Sequence, residues 1–461
     1  MAAPSIYNYP LHDTAGIIRR DTGLTHLRNP SLWRTALPLY RRLRFGRFEH
    51  GHLFTNLDLR VGENPSGNKL WFYAFVDRSC RPETEVWFFG SWDAQNETDD
   101  AVVADDTSEI VEGFTITSRR ALRRAARNGE NDGFVSDGAD SDDFDENDNY
   151  VGPGALPTNT EPWNTWEAKA DQDELMLALV KAIKDLDVPT SMHQDILDAK
   201  AAEPEKSSVQ KDHSGLDRDE YGGHMLDPNI MLWGAVHERT VPVLQRLGLL
   251  SEASKATAVP NYTFIFDVKN LPQPTDLPKS LRWGTVKPEH FSLVRSRTQI
   301  PRQDRTLAIL PSLAIYAEGK EEPVSWAFVG LDSSLTTLHV EPEWRRRGLA
   351  QMLTTKLLKE RMRRFHEEGQ EKLGIGYVIK GNEASRRMCE SLGARSDWEV
   401  YWLRVDLTKV EHSSSSEVMG KLAVAHKRKR SSNGSAANGE LKQARHEEYN
   451  HNTAGWATET I

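Results

Sequence analysis

The stretch Glu341–Ala350, EPEWRRRGLA, is the point from which the rest of the chain can be read. It follows a short apolar run, Leu335–Val340 (LTTLHV), and precedes a segment in which Leu349, Met352, Leu353, Leu357 and Met362 recur with a helical period. The order is strand, basic glycine-containing turn, helix. The first amides of a helix have no intrahelical partners, and the macrodipole places positive partial charge beside them. Arg345, Arg346 and Arg347 add full charges, and Gly348 lets the backbone approach a ligand without a Cβ in the way. These features point to a bound phosphate or pyrophosphate. The competing reading is an amphipathic helix that begins with solvated arginines, since short motifs recur by chance.

The flanking sequence adds to the first reading. Arg345-x-x-Gly348-x-Ala350 after a strand resembles the acyl-CoA signature of the GNAT N-acyltransferase superfamily. The superfamily's other landmarks come in order: a hairpin-like pair at Leu313–Glu318 and Val324–Leu331, a strand at Gly374–Lys380, and the fourth-helix pattern GNEASRRMCESLGAR carrying Asn382, Ser385, Met388, Leu392, Gly393 and Ala394. With Trp398 and Trp402 near the end, the order is most similar to the glycine N-acyltransferase-like branch. The match spans about residues 281–409. The resemblance implies an α/β (α+β) GNAT fold there. It also implies that the preceding half, which has no signature turn of its own, is a degenerate GNAT-like copy that walls the substrate side.

The resemblance further implies acyl transfer from a CoA thioester, acetyl or another short acyl, to a small-molecule or peptide amine by direct attack, without a metal. The amides of Arg346, Arg347, Gly348, Leu349 and Ala350 match the pyrophosphate cradle, with Arg345 to Arg347 reaching phosphates. Leu338, His339 and Val340 would lie along the pantetheine and supply the N–H that polarises the carbonyl. Asn382 matches the asparagine that supports the pantetheine arm. The family's tyrosine acid falls at Cys389, a thiol that is either the acid or a small core residue. The branch's glutamate base falls at Ser334, with Asp332 displaced by two, and His339 is either a base or a structural histidine. Arg302 and Arg305 are candidates for a carboxylate on the acceptor or are surface charges. The rival function is a catalytically degenerate binding or scaffold protein, favoured by the Cys389 and Ser334 departures.

Composition bounds the remainder. The chain has 461 residues, 38% hydrophobic content and a net charge of −10, with a mean hydropathy of −0.60. Such values predict two or three domains with disordered stretches, and the negative charge argues against nucleic acid as a partner. Two cysteines, Cys80 and Cys389, exclude a disulfide scaffold or a cysteine zinc cluster. No secretory signal or apolar run of about 18 residues is visible, so a cytoplasmic protein with no membrane partner is expected. The tetrad Lys427–Arg430 (KRKR) leaves nuclear import as a minority option.

In chain order, residues 1–30 read as a loosely held arm, and 31–280 as an N-terminal α/β domain. That domain opens with a helix at Ser31–Phe45 that Pro38 bends or restarts. A strand meander comes next (His52–Leu59, Leu70–Val76, Val86–Trp92), then a helix at Asp171–Leu186 and strands at Asn229–Val236 and Tyr262–Val268. A polar insertion at 94–165 interrupts it, with a basic island at Arg119–Arg127 and an acidic run at Asp137–Asp148. A calcium loop starting at Asp143 fails because Asp148 and Gly154 occupy the positions that need Gly and Glu. A catalytic domain at 281–409 and a disordered tail at 410–461 complete the expected organisation.

Overall fold

Twelve strands join in one sheet in the computed structural model, which describes residues 4–65, 69–94, 166–189, 227–298, 300 and 302–411. They are β1 (Tyr7–Pro10), β2 (His52–Thr55), β3 (Phe72–Val76), β4 (Val86–Gly90), β5 (Ile230–His237), β6 (Asn261–Asp267), β7 (Leu281–Gly284), β8 (Ser312–Ala317), β9 (Pro323–Val329), β10 (Ser334–Val340), β11 (Leu373–Ile379) and β12 (Arg395–Asp406). Their order across the sheet is β1-β2-β3-β4-β5-β12-β6-β11-β10-β9-β8-β7. The pairs β4/β5 and β10/β11 are parallel; the others are antiparallel.

That order is symmetric about the β12/β6 pair. β1 to β5 enter from one edge and β7 to β11 from the other. Each half takes its closing strand from the other half, β12 lying beside β5 and β6 beside β11. The chain passes from one half to the other near 280, the halves interlock, and the described residues fall in one compact unit.

Nine α-helices cover the faces among the described residues: α1 (Thr14–Leu27), α2 (Trp33–Phe45), α3 (Trp166–Lys184), α4 (Val241–Arg246), α5 (Glu252–Thr257), α6 (Phe291–Ser296), α7 (Asp304–Leu307), α8 (Leu349–Arg361) and α9 (Glu383–Ser391). Strand alternation assigns their places. Tyr73, Phe75 and Trp87 face α2, and Phe72, Ala74 and Phe88 face α3 and α4. In the second half, Ala327, Val329 and Val378 pack under α8, whereas Trp326 and Phe328 pack under α6. No helix among the described residues is long and apolar enough to cross a membrane.

The amino-terminal segment differs from the expected arm. β1 pairs with β2, and α1 is capped by Asp13, whose Oδ1 accepts from the Gly16 N–H at 2.6 Å. The buried face of α1 is Gly16, Arg20, Gly23, Leu24 and Leu27. The period is helical, but two glycines and an arginine occupy apolar positions, so hydrophobicity conceals it. A Cβ added at Gly23 would stand 3.2 Å from the Tyr73 ring, and Arg20 lies over Phe48 at 5.0 Å. The next helix, α2, continues through Pro38 without restarting. Residues 95–165, 190–226 and the chain beyond 411 lie outside the described residues, and with them the basic island, the acidic run and KRKR.

Among the buried carboxylates of the first half, two are displaced far from their ordinary range. Glu85 is pushed up to about 7 by burial despite Arg81 at 3.4 Å. Asp93 is likewise pushed up to about 7 by burial, against roughly 3.9 for an unfolded aspartate. Between those values the folded chain holds a proton that the unfolded chain has released. The resulting stabilisation is complete below about pH 4 and is lost as pH rises through about 7. Asp93→Asn cannot lose that proton, so its Tm relative to wild type should climb between about pH 5 and about pH 8. A flat difference in calorimetric scans over that interval contradicts the assignment.

Candidate active site

β10 leaves β11 almost as soon as they meet. The parallel pairing consists of Ser334↔Ile375 and Leu335↔Gly376, so from Thr336 onward β10 has a ladder partner only in β9. A bulge lies at the parting. Thr336 pairs with Phe328 and His339 with Trp326, leaving Thr337 and Leu338 together opposite Ala327. Thr337 has φ +55°, which strains a β-branched residue. The extra residue resets the alternation: Thr336 and His339, three apart, both face the α6 side with Phe328 and Trp326. Leu338 and Val340 pack on the α8 side.

The turn after β10 is held from within. The Arg345 Nε donates to the Val340 carbonyl at 3.1 Å, folding the turn back onto its strand. Arg347 donates to the Glu343 carbonyl at 3.0 Å and lies over the Trp344 ring at 4.8 Å. Arg346 has φ +57° and is exposed. Gly348, at φ +71°, is the N-cap of α8, has no side chain to cap the first amides, and has open space where a Cβ would stand. Leu349 and Ala350 are buried and anchor the helix start. Two positive-φ residues and an uncapped helix start, with three arginines in the same turn, suit a phosphate group.

The candidate catalytic side chains lie in three different settings. His339 stacks on Trp326 at 4.7 Å, with Nε2 3.6 Å from Glu341 Oε2, too long for a hydrogen bond. Burial lowers it to about 4, outweighing the Glu341 charge. Asp332 is 4% exposed; its Oδ1 accepts from Ser334 Oγ at 2.7 Å, and its Oδ2 has no hydrogen-bond partner. Tyr377 on β11 is raised well above its ordinary range, first by burial and then by the Asp332 carboxylate. Cys389 sits in the core under α9, where burial pushes its thiol up to about 12; it is placed as a packing residue.

Asn382 is the N-cap of α9 and accepts from the Ser385 N–H at 3.0 Å. Arg302 is not a loose surface charge: it donates to Thr336 Oγ1 at 2.9 Å and reaches Thr337 Oγ1 at 3.4 Å. Arg305 turns the other way, to the Ser79 carbonyl of the first half. Sequence reading missed Tyr377, Trp326, Glu341 and the Arg302 contact, because each depends on pairing across strands. Among the described residues no His, Cys, Asp and Glu cluster could hold a metal ion.

A family model described as the acyl-CoA N-acyltransferase VerG N-terminal domain matches residues 19–264, more than half of the chain. The chain belongs to this acyl-CoA N-acyltransferase family. A second model, FR47-like protein, matches residues 312–403, from β8 into β12. Both agree with a GNAT-type sheet in the second half and a related first half. No curated protein matches the sequence. Among solved structures, a Drosophila protein is similar at 17% identity and TM-score 0.32, covering 40% of this chain and 66% of its own. A GCN5-related N-acetyltransferase from Sphaerobacter thermophilus is similar at 11% identity and TM-score 0.27, covering 41% and 65%. The chain thus spans just under two thirds of the length of these two. A tandem GNAT protein from the clavulanic acid biosynthesis pathway is similar at 10% identity and TM-score 0.33, covering 87% of this chain and 99% of its own.

His339 gives a direct check on the site's burial. Following its imidazole by NMR should give a titration midpoint near 4, against roughly 6.5 for a solvated histidine. A neutral buried imidazole stabilises the fold above about 6.5, and that contribution is lost as pH falls through the folded value. A midpoint at or above the solvated value would place the ring in water.

Proposed function

We propose that the chain transfers an acetyl or other short acyl group from CoA to an amine acceptor by direct attack, at the parting of β10 and β11. One coincidence carries the reading: the turn with the acyl-CoA signature stands at the end of the strand that splits from its parallel neighbour. The pyrophosphate fits the open space beside Gly348, with Arg345, Arg346 and Arg347 around it. The β11-facing edge of Thr336–Val340, unladdered, suits the amide groups of a pantetheine arm. Bound there, acyl-CoA supplies the activated thioester; the chain's residues supply orientation and charge stabilisation.

A backbone N–H of the bulged segment Leu338–Val340 is the donor to the thioester oxygen. Donors of this kind are worth about 2.7–4 kcal/mol in the transition state. His339, on the α6 face, is neutral at pH 7 and can take the amine's proton, with Glu341 offsetting the charge that forms. Cys389 takes no part, because it is buried and a CoA thiolate leaves without an acid. A binding module without turnover is the second reading, favoured by that buried cysteine and by Ser334 in the glutamate's place.

The first half supports a single cofactor site per chain. There β4 runs into a 3-10 turn, Ser91–Asp93, whose polar groups are satisfied internally. Asp93 accepts from the Gly90 N–H at 2.9 Å and from Thr240 Oγ1 at 2.8 Å, and the Trp92 indole donates to Thr240 at 2.8 Å. Calorimetric titration with acetyl-CoA should give one site per chain. Gly348→Val should weaken binding by roughly tenfold or more, since the left-handed conformation is strained for a β-branched residue. CoA release across an amine panel, followed with a thiol reagent, should fall about a hundredfold in His339→Ala. Unchanged binding in Gly348→Val removes the proposed cradle.

A further inference from the structure

We infer that Arg302 is a positioning residue that acts through β10, and that Glu83 of the first half holds it in place. The inference rests on the acyltransferase reading for its turnover arm, though not for its structural arm. It starts from strain. Thr337 is β-branched and sits at φ +55° in the middle of a strand, a conformation that persists only when its surroundings enforce it. Arg302 spans the bulge, donating from Nη2 to Thr336 Oγ1 at 2.9 Å and reaching Thr337 Oγ1 with Nε at 3.4 Å. One planar guanidinium thus ties the two hydroxyls on either side of the strained peptide.

The bulge decides function because strand alternation has a period of two. Without the extra residue, His339 would move to the α8 face and leave Trp326, and the amides after Thr337 would turn with it. The N–H aimed at the thioester and the imidazole beside the acceptor therefore depend on one local conformation. Displacements of about 1 Å at such a site cost on the order of a hundredfold in rate.

The segment bearing Arg302 is in turn held by the first half. Glu83 accepts from the Gln303 N–H at 2.9 Å through Oε1 and from Thr306 Oγ1 at 2.8 Å through Oε2. Arg47 donates to the same Thr306 hydroxyl at 3.2 Å. The Gln303 side chain donates to the Arg81 carbonyl and Arg305 to the Ser79 carbonyl. The Ser79–Glu83 loop and α7 form one clamp, and Arg302 extends from it onto β10. The first half, which has no signature turn, is thereby coupled to the geometry of the second half's reacting centre.

The test uses the full chain with Arg302→Gln, Glu83→Gln, and Arg302→Gln combined with Thr337→Gly. Glycine adopts positive φ without strain, so it should keep the bulge when the strap is gone. Arg302→Gln should lower the turnover number about a hundredfold while leaving acetyl-CoA affinity within about threefold, and Glu83→Gln should act in the same direction. Thr337→Gly should restore at least tenfold of the loss. Hydrogen exchange should quicken in the 334–340 segment of Arg302→Gln and stay unchanged in α8. Unaltered exchange in that segment, or an Arg302→Gln defect that glycine at 337 does not relieve, overturns the inference. Wild-type protein that binds acetyl-CoA but releases CoA with no amine contradicts the acyltransferase reading, and the exchange measurement then decides the strap.

Discussion

The departure of β10 from β11 after Leu335 is the constraint on which the rest of the molecule turns. A strand in mid-sheet that loses a neighbour exposes a row of peptide groups that must find partners. Here the gap lies on the side where the sequence next supplies two left-handed residues, an uncapped helix start and three arginines. The unladdered edge and the anion-attracting turn are consecutive in the chain, so a ligand with both an amide-bearing arm and a phosphate end suits them together. The glycine at 348 is required by the backbone: its positive φ is what lets α8 begin directly behind the turn.

The interlocked halves explain how such an opening is tolerated. β6 and β12 cross between halves, so both sides of the parting are fastened to ladders that run to opposite edges of the sheet. The first half repeats the architecture, with its own short parallel contact of Val86↔Trp233 and Trp87↔Gly234. Aromatic side chains and the Asp93, Thr240 and Trp92 bonds occupy the corresponding place there. A cleft remains, lined by Trp87, Phe89, His237 and Trp398 among others, with no basic turn beside it among the described residues. The same topology thus serves once as a packed support and once as an open slot. Among the described residues, the difference lies in the turn that leaves the fourth strand of each half, its polar groups bonded internally in one, basic and uncapped in the other.

Burial sorts the titratable groups by role. Cys389 and His339 are both displaced from their ordinary values by desolvation, in the directions that keep each neutral. A thiol pushed up to about 12 is too weak an acid to protonate a departing CoA thiolate, whereas for the imidazole neutrality preserves the lone pair that a base needs. Asp332 and Tyr377 form a further polar pair at the root of the parting, the carboxylate holding the phenol above its ordinary range.

Much of this was legible in the residues themselves. The turn after β10, the order of strands and helices from β8 to α9, and the meander of β2 to β4 follow from apolar period, glycine and proline placement, and capping residues, all of which act over a few positions. The face taken by His339 was not legible, because it depends on one bulge residue whose conformation is held by an arginine thirty-five positions earlier. The helix at Thr14–Leu27 was hidden for a related reason: its buried face is built of glycine and arginine, and only contact with Tyr73 and Phe48 reveals why. The exchange of β6 and β12 also lay beyond local reading, since either half could have closed on its own strand with the same hydrophobic pattern. Local sequence determines which segments are strands and where a helix begins; which strands become neighbours, and which side chains share a face, is decided only when distant segments compete for the same hydrogen bonds and the same buried surface.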